Sequence, residues 1–313
     1  VEHLDMERSF PQLREIHPKF LSFGKALKTV KFPKTFKNVE KVSSEFMMGS
    51  GVTDIGNLMD LFSKNVKVIE DGFLADTTDL NTPIQMPKCA RLNHIGHDFL
   101  RGSAVTSFVV PRDVFEVIST ENGRDLDDGN EHNVVHTYGE EVKPPENVIT
   151  QRTSFAEISF VGRNFLAHTP QLIEVSLPTF EVLAAVQDGF LRESAIKRLD
   201  INDCFAQVTS VGDHMLDTCR SLSEVVMPPF SSLESVGTHF LSNTNITALD
   251  ISQSFSKLKK LSWGFLSKSA LLKSIQFPKF EELTYVSESF VRQCPALESV
   301  DLAHSMPIVD VVA

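Results

Sequence analysis

A Phe-Leu pair returns at a fixed spacing along most of this chain, and no other feature limits its fold as much. It recurs as Phe165-Leu166, Phe190-Leu191, Met215-Leu216, Phe240-Leu241, Phe265-Leu266 and Phe290-Val291, twenty-five residues apart at every step. The N-terminal third carries it at Phe20-Leu21, Phe46-Met47, Phe73-Leu74 and Phe99-Leu100, with steps of twenty-six, twenty-seven and twenty-six. Such self-similarity is the signature of a solenoid, whose units bury their apolar faces only by stacking on one another. The 24 Phe against 1 Trp and 2 Tyr suit one aromatic slot refilled at each coil.

Each unit repeats a finer pattern. About six residues after the anchor comes a stretch such as Leu172-Ile-Glu-Val175-Ser-Leu177 or Ile246-Thr-Ala-Leu249-Asp-Ile251, whose period-two alternation predicts a strand. A second cluster follows, Phe180, Leu183 and Val186 in one unit and Phe255, Leu258 and Leu261 in another. Its spacing of three predicts a short helical or 3-10 turn, or a bent loop, on the opposite side. Units alternate between two flavours, one closing its strand with proline (Leu177-Pro178, Met227-Pro228, Phe277-Pro278), the other placing Asp200 or Asp250 inside it. Proline cannot donate to a ladder, so it marks the strand's end.

The pattern LxxVxLPxFxxLxxVxxxFLxxxxxL resembles the leucine-rich repeats of the BspA-like (Treponema-type) class, over nearly the whole chain apart from one insertion. The resemblance implies an α/β leucine-rich-repeat solenoid of about 25 residues per repeat. It would be a curved right-handed coil with a parallel β-sheet on the concave face and short helical, 3-10 or irregular segments on the convex face. It also implies a cell-surface or secreted protein that binds host or partner molecules. This sequence departs from the family in having Phe-Leu where Ala-Phe is common, and in its strict two-flavour alternation.

One interruption breaks the count, for Phe99 and Phe165 are sixty-six residues apart. Phe115 and Ile118 have the spacing of Phe155 and Ile158, which places the extra chain at 119–154. The expected organisation is one continuous solenoid: N-terminal repeats over 1–118, an acidic loop over 119–154, and C-terminal repeats over 155–313. The loop, acidic and proline-bearing, is expected to be mobile and to carry function. Leu4-Asp5-Met6 aligns with Leu199-Asp200-Ile201, so Val1 starts inside a repeat. The expectation is a fragment or processed form, or a partner covering Val1 to Phe10.

Several classes of chemistry find no support. A net charge of −11 argues against nucleic acid, whose binders release counterions with a positive surface. No apolar run reaches the ~18–20 residues that would cross a bilayer. There is no GxSxG, phosphate-binding glycine loop or paired Cys and His motif, so no enzyme and no cofactor are expected. His132 and His136 have an i, i+4 spacing near Asp127 and Asp128, but nothing predicts a helix there, and no metal is expected. His214 and His239 share one repeat position and are read as stacked turn residues rather than a metal pair. Cys219 and Cys294 fall in one slot three repeats apart, too far to bridge, and read as structural thiols. Asn245-Ile-Thr247 is a glycan acceptor only in a secreted protein.

The sheet's outward positions are the better place for function, since side chains alternate along a strand. The candidate binding residues are Glu174, Ser176, Arg198, Asp200, Glu224, Asp250, Gln276 and Asp301, an acidic face suited to a basic partner. The alternative for the aspartates is hydrogen bonding to backbone in the turn after the strand. Asp127, Asp128, His132, His136 and Tyr138 are the candidate loop residues. Lys19, Lys25, Lys28, Lys31, Lys34, Lys37 and Lys41 make the N-terminal repeats basic. The leading reading is a non-enzymatic binding or adhesion module for a protein or glycan ligand. The alternative is an intracellular scaffold or structural subunit of a larger assembly.

Overall fold

The computed structural model describes residues 1–110 apart from 11, 62–64 and 88, and residues 155–300 apart from 288 and 299, together with the backbone of strands at 115–119, 134–138 and 311–312. The chain winds as a parallel β-solenoid. One coil shows how the sequence builds it. Glu174–Ser176 forms a strand whose Val175 points inward, Leu177 closes it, and Pro178 ends the ladder. Phe180 and Leu183 turn into the core and a second strand follows at Ala185–Val186, with Val186 buried. A turn through Phe190-Leu191 then returns the chain to the next strand at Arg198–Asp200.

Stacking these coils makes two parallel ladders. The first runs through the longer strands, His3–Asp5 beside Thr29–Lys31, then Ile84–Gln85, Ser107–Val109 and Glu174–Ser176 in a row. Arg198–Asp200 pairs with Glu224–Val226, and Ala248–Asp250 with Ser274–Gln276. The register matches the columns read from sequence, with Asp200 opposite Val226 and Asp250 opposite Gln276. The second ladder consists of two-residue strands, from Glu15–Ile16 and Lys41–Val42 through Val68–Ile69, His94–Ile95 and Phe160–Val161. It resumes through Ala185–Val186, Ser210–Val211 and Ser235–Val236.

Opposite the first sheet, where short helical, 3-10 or irregular segments were expected, the coils carry the second ladder. Among the described residues the only helices are the four-residue Leu58–Leu61 and the 3-10 turn Lys34–Asn38. Between Phe180 and Ala185 the chain bends without forming a helical turn. A flat two-residue strand lets each coil hydrogen-bond to its neighbours instead.

The anchor turn is held in a left-handed pattern that non-glycine residues rarely adopt. Taking the anchor phenylalanine as reference, the residues one before, one after and three after all have positive φ, as His214, Leu216 and Thr218 do at 61°, 58° and 62°. Neighbouring coils enforce this. The Leu216 amide donates to the Phe190 carbonyl at 3.0 Å and the Thr218 amide to the Ser242 carbonyl at 2.8 Å. The same pair of bonds recurs in coil after coil, including Leu266 to Phe240 and Lys268 to Arg292.

Phenylalanines fill the interior as two stacked ladders rather than one. The anchors Phe20, Phe46, Phe73, Phe99, Phe165 and Phe190 stack in sequence at 5.2–5.6 Å. Phe155, Phe180, Phe205, Phe230 and Phe255 form the second stack. T-shaped contacts such as Phe190 with Phe205 and Phe240 with Phe255 lock them together.

Phe165 stacks directly on Phe99, and Glu174–Ser176 pairs directly with Ser107–Val109, so the intervening chain leaves and rejoins adjacent coils. Phe155 and Ile158 supply that coil's buried pair. Phe115–Ser119 pairs antiparallel with Val134–Tyr138.

Candidate functional site

Two surfaces present side chains in ordered columns. On the longer-strand sheet, Glu174, Arg198, Glu224, Asp250 and Gln276 are exposed, and Ser176 and Asp200 half-buried. Arg198 Nε reaches Glu224 Oε1 at 3.3 Å across neighbouring strands, giving this face a mixed pair rather than a run of acid. The aspartates close the strand. Asp200 accepts the Asn202 amide at 3.1 Å, and Asp250 the Ser252 amide at 2.9 Å. Asp5 and Asp54 do the same to Glu7 and Gly56. Such Asx turns hydrogen-bond the side chain to backbone two residues on, so the Asp of one repeat flavour does the strand-ending work that proline does in the other.

Of the remaining sequence candidates, Asp301, Asp127, Asp128 and His132 lie outside the described residues. His136 and Tyr138 sit on the strand Val134–Tyr138, opposite Val117 and Phe115. The lysine-rich N-terminal coils are partly neutralised. Lys28 pairs with Asp79 at 2.8 Å, Lys31 with Glu7 at 2.6 Å, and Lys41 with Glu70 at 2.8 Å. These bonds hold Glu7, Glu70 and Asp79 below the usual carboxylate range, through the lysine hydrogen bond in each case.

The second surface is the ridge of anchor turns, where one repeat position collects rings. His214 and His239 stack at 4.6 Å with planes 12° apart, and Trp263 stands edge-on to His239 at 4.5 Å. His214 Nδ1 lies 2.9 Å from the buried carboxylate of Asp217, which Arg192 also approaches at 3.6 Å. Burial, and next the charge of His214, push the His239 imidazole below its ordinary pKa. Beyond Trp263 opens a cavity of about 250 Å³ lined by His239, Trp263, Lys268, Arg292 and Gln293. The buried Ser267 and Ser289 complete its wall. Sequence reasoning missed this cavity, although the chain's single tryptophan was its signal.

The thiols take no part in either surface. Cys89, Cys204, Cys219 and Cys294 are all unbridged. Burial raises the Cys89 thiol to about 12 and Cys219 to about 11, far from a reactive thiolate. No cluster of three or more metal-ligating side chains occurs among the described residues. No helix among them is long and apolar enough to cross a membrane.

Comparison with known proteins agrees with this geometry. The model of the BspA type leucine rich repeat region matches residues 185–311 in six copies. A solved leucine-rich repeat protein from Bacteroides ovatus aligns at a TM-score of 0.50 and 15% identity, over 93% of this chain and 70% of that one. Another from Eubacterium ventriosum aligns at a TM-score of 0.32 and 15% identity, over 88% of this chain and 81% of that one. No curated protein matches.

Proposed function

The chain is a BspA-like leucine-rich repeat protein, and on that premise we propose that it is a non-enzymatic interaction module that engages a protein partner through its longer-strand sheet. The observation that carries this reading is the exposed column Glu174, Arg198, Glu224, Ala248 and Ser274, repeated at strand spacing on a rigid scaffold. Strand pairing fixes the backbone beneath Arg198 and Glu224, and beneath Ala248 and Ser274, so a partner finds side chains ~4.8 Å apart within each pair and loses little flexibility on docking. With Asp200 and Asp250 occupied in turns, Glu174 and the Arg198–Glu224 pair are the groups left to choose a partner by charge.

The test is affinity capture from the native source, followed by mass spectrometry, with three forms of the protein. They are the wild type, the double reversal Glu174→Lys with Glu224→Lys, and a deletion of 119–154. Loss of the same partner from the reversal, with unchanged melting, supports the sheet face. Retention of every partner by both variants refutes it. A second reading, a scaffold subunit inside a larger assembly, draws on the four unbridged cysteines, which suit a reducing compartment. A stoichiometric complex that survives purification would favour it.

A further inference from the structure

The ridge carries a pair of cations, Lys268 and Arg292, in the two slots where an earlier pair of coils carries the ion pair of Asp76 and Arg101. Arg101 stands two residues after its anchor Phe99, and its guanidinium pairs with Asp76 at 2.8 Å and Asp98 at 3.1 Å. Asp76 stands three residues after the preceding anchor, and its amide donates to the Arg101 carbonyl. Arg192 has the same position and pairs with Glu193 at 3.2 Å and Asp217 at 3.6 Å. Arg292 is the third arginine of this column. The residue whose amide donates to its carbonyl, at 2.8 Å, is Lys268. Lys268 thus takes the Asp76 slot, Gln293 the Glu193 slot and Ser289 the Asp98 slot, and neither Lys268 nor Arg292 has an ion-pair partner among the described residues.

Two like charges rooted on hydrogen-bonded neighbours repel, and an anion between them converts that repulsion into two attractive contacts. The anion would not arrive alone, because the same cavity is walled by Trp263, 43% exposed, its ring held edge-on to His239. An indole face is electron-rich and attracts the weakly positive C–H groups of a flat ligand face. Gln293, Ser267 and Ser289 add donors and acceptors at the rim and wall. A cavity of about 250 Å³ holds roughly one monosaccharide unit.

We propose that this cavity binds an acidic saccharide, with its carboxylate or sulfate between Lys268 and Arg292 and its C–H face on Trp263. The site lies on the turn ridge, away from the sheet face argued above, and does not depend on that reading. Because Trp263 is the only tryptophan, its fluorescence reports on the cavity alone. The purified full chain is titrated with a glucuronate-containing hyaluronan tetrasaccharide, with neutral cellotetraose and with inorganic sulfate. A saturable change with the acidic sugar is expected, with sulfate and the neutral sugar at least tenfold weaker. The variant Lys268→Asp recreates the Asp76–Arg101 arrangement, so it should fold as well as the wild type and weaken the acidic sugar at least tenfold. Calorimetry on Trp263→Ala should show a similar loss. The proposal is overturned by no response to the acidic sugar, by an equal response to sulfate or cellotetraose, or by wild-type affinity in Lys268→Asp.

Discussion

Phe240 and Phe265, twenty-five residues apart in the chain, lie with ring centroids 5.2 Å apart and planes 18° from parallel, both wholly buried. Each ring is therefore the packing surface for the next, and removing one opens a void between two coils rather than at an edge. Phe240→Ala should cost about 3–5 kcal/mol. Gln276→Ala, on the exposed sheet face, should stay within about 0.5 kcal/mol. Urea midpoints of the two variants check this, and equal shifts would contradict the stack.

The left-handed turn makes a prediction of opposite sign. Thr218 holds φ at 62°, although a β-branched residue is among the least suited to that region. The equivalent position in two earlier coils is taken by Gly49 and Gly102, at φ 61° and 67°. Thr218→Gly should therefore raise stability by about 1 kcal/mol, the cost of left-handed backbone for an L-residue, despite losing a 3.1 Å bond to Asp217. A lower melting temperature in this variant would mean that the Thr218 hydroxyl outweighs the backbone.

Adjacent coils approach closely at Gly212 and Gly237. A Cβ on Gly237 would lie 2.4 Å from the Gly212 carbonyl carbon and 2.5 Å from the Asp213 nitrogen. Backbone on both sides cannot yield as a side-chain tip would. Gly237→Ala should destabilise by about 1–3 kcal/mol, as overpacking does, whereas an alanine at Gly24, whose nearest neighbour would be 3.5 Å away, should be tolerated. Thermal melts of the two variants separate these outcomes.

Much of this arrangement was legible in the sequence because a solenoid turns long-range contacts into a fixed offset. Aligning anchors was enough to put Asp200 beside Val226 and to place Cys219 and Cys294 in one slot. The second ladder was not legible, since apolar residues three apart, as in Phe180, Leu183 and Val186, satisfy a short helix and a bent two-residue strand equally well. The left-handed turns have no sequence signature when leucine rather than glycine occupies them, because hydrogen bonds from the next coil impose them. The same alignment could have exposed the ridge cavity: Lys268 in the Asp76 slot is visible once ion pairs are compared coil by coil.

The thiol slot is four residues after the anchor, where other coils place Thr77, Ser103, Thr169 and Thr244, each donating to the carbonyl three residues back. Cys219 occupies it with its sulfur 3.0 Å from the Leu191 carbonyl, and Cys294 with its sulfur 3.2 Å from that of Leu266. Cys219 is wholly buried and Cys294 only half so. Alkylation of the native protein at pH 8 should modify Cys294 first and leave Cys89, Cys204 and Cys219 intact until denaturant is added. Peptide mass spectrometry would reveal the order, and early labelling of Cys219 would contradict its burial.

The stacked histidines predict how stability responds to acid. Burial lowers the His239 pKa from 6.5, and the neighbouring charges of His214, Lys268 and Arg192 add to the effect, while Asp217 opposes it. In the unfolded chain the imidazole titrates at its ordinary value, so below 6.5 the unfolded state binds more protons and folding weakens. This contribution is fully present above 6.5 and is lost as the pH falls from there toward the lowered folded value. The carboxylates held down by lysines, Glu7, Glu40, Glu70 and Glu234, begin to matter only below 4.5. Between pH 7.5 and 5.5 the wild type should therefore lose more melting temperature than His239→Gln, which keeps a polar ridge residue without the titration. An identical loss in both proteins would show that His239 is solvated in the folded state as it is in the unfolded one.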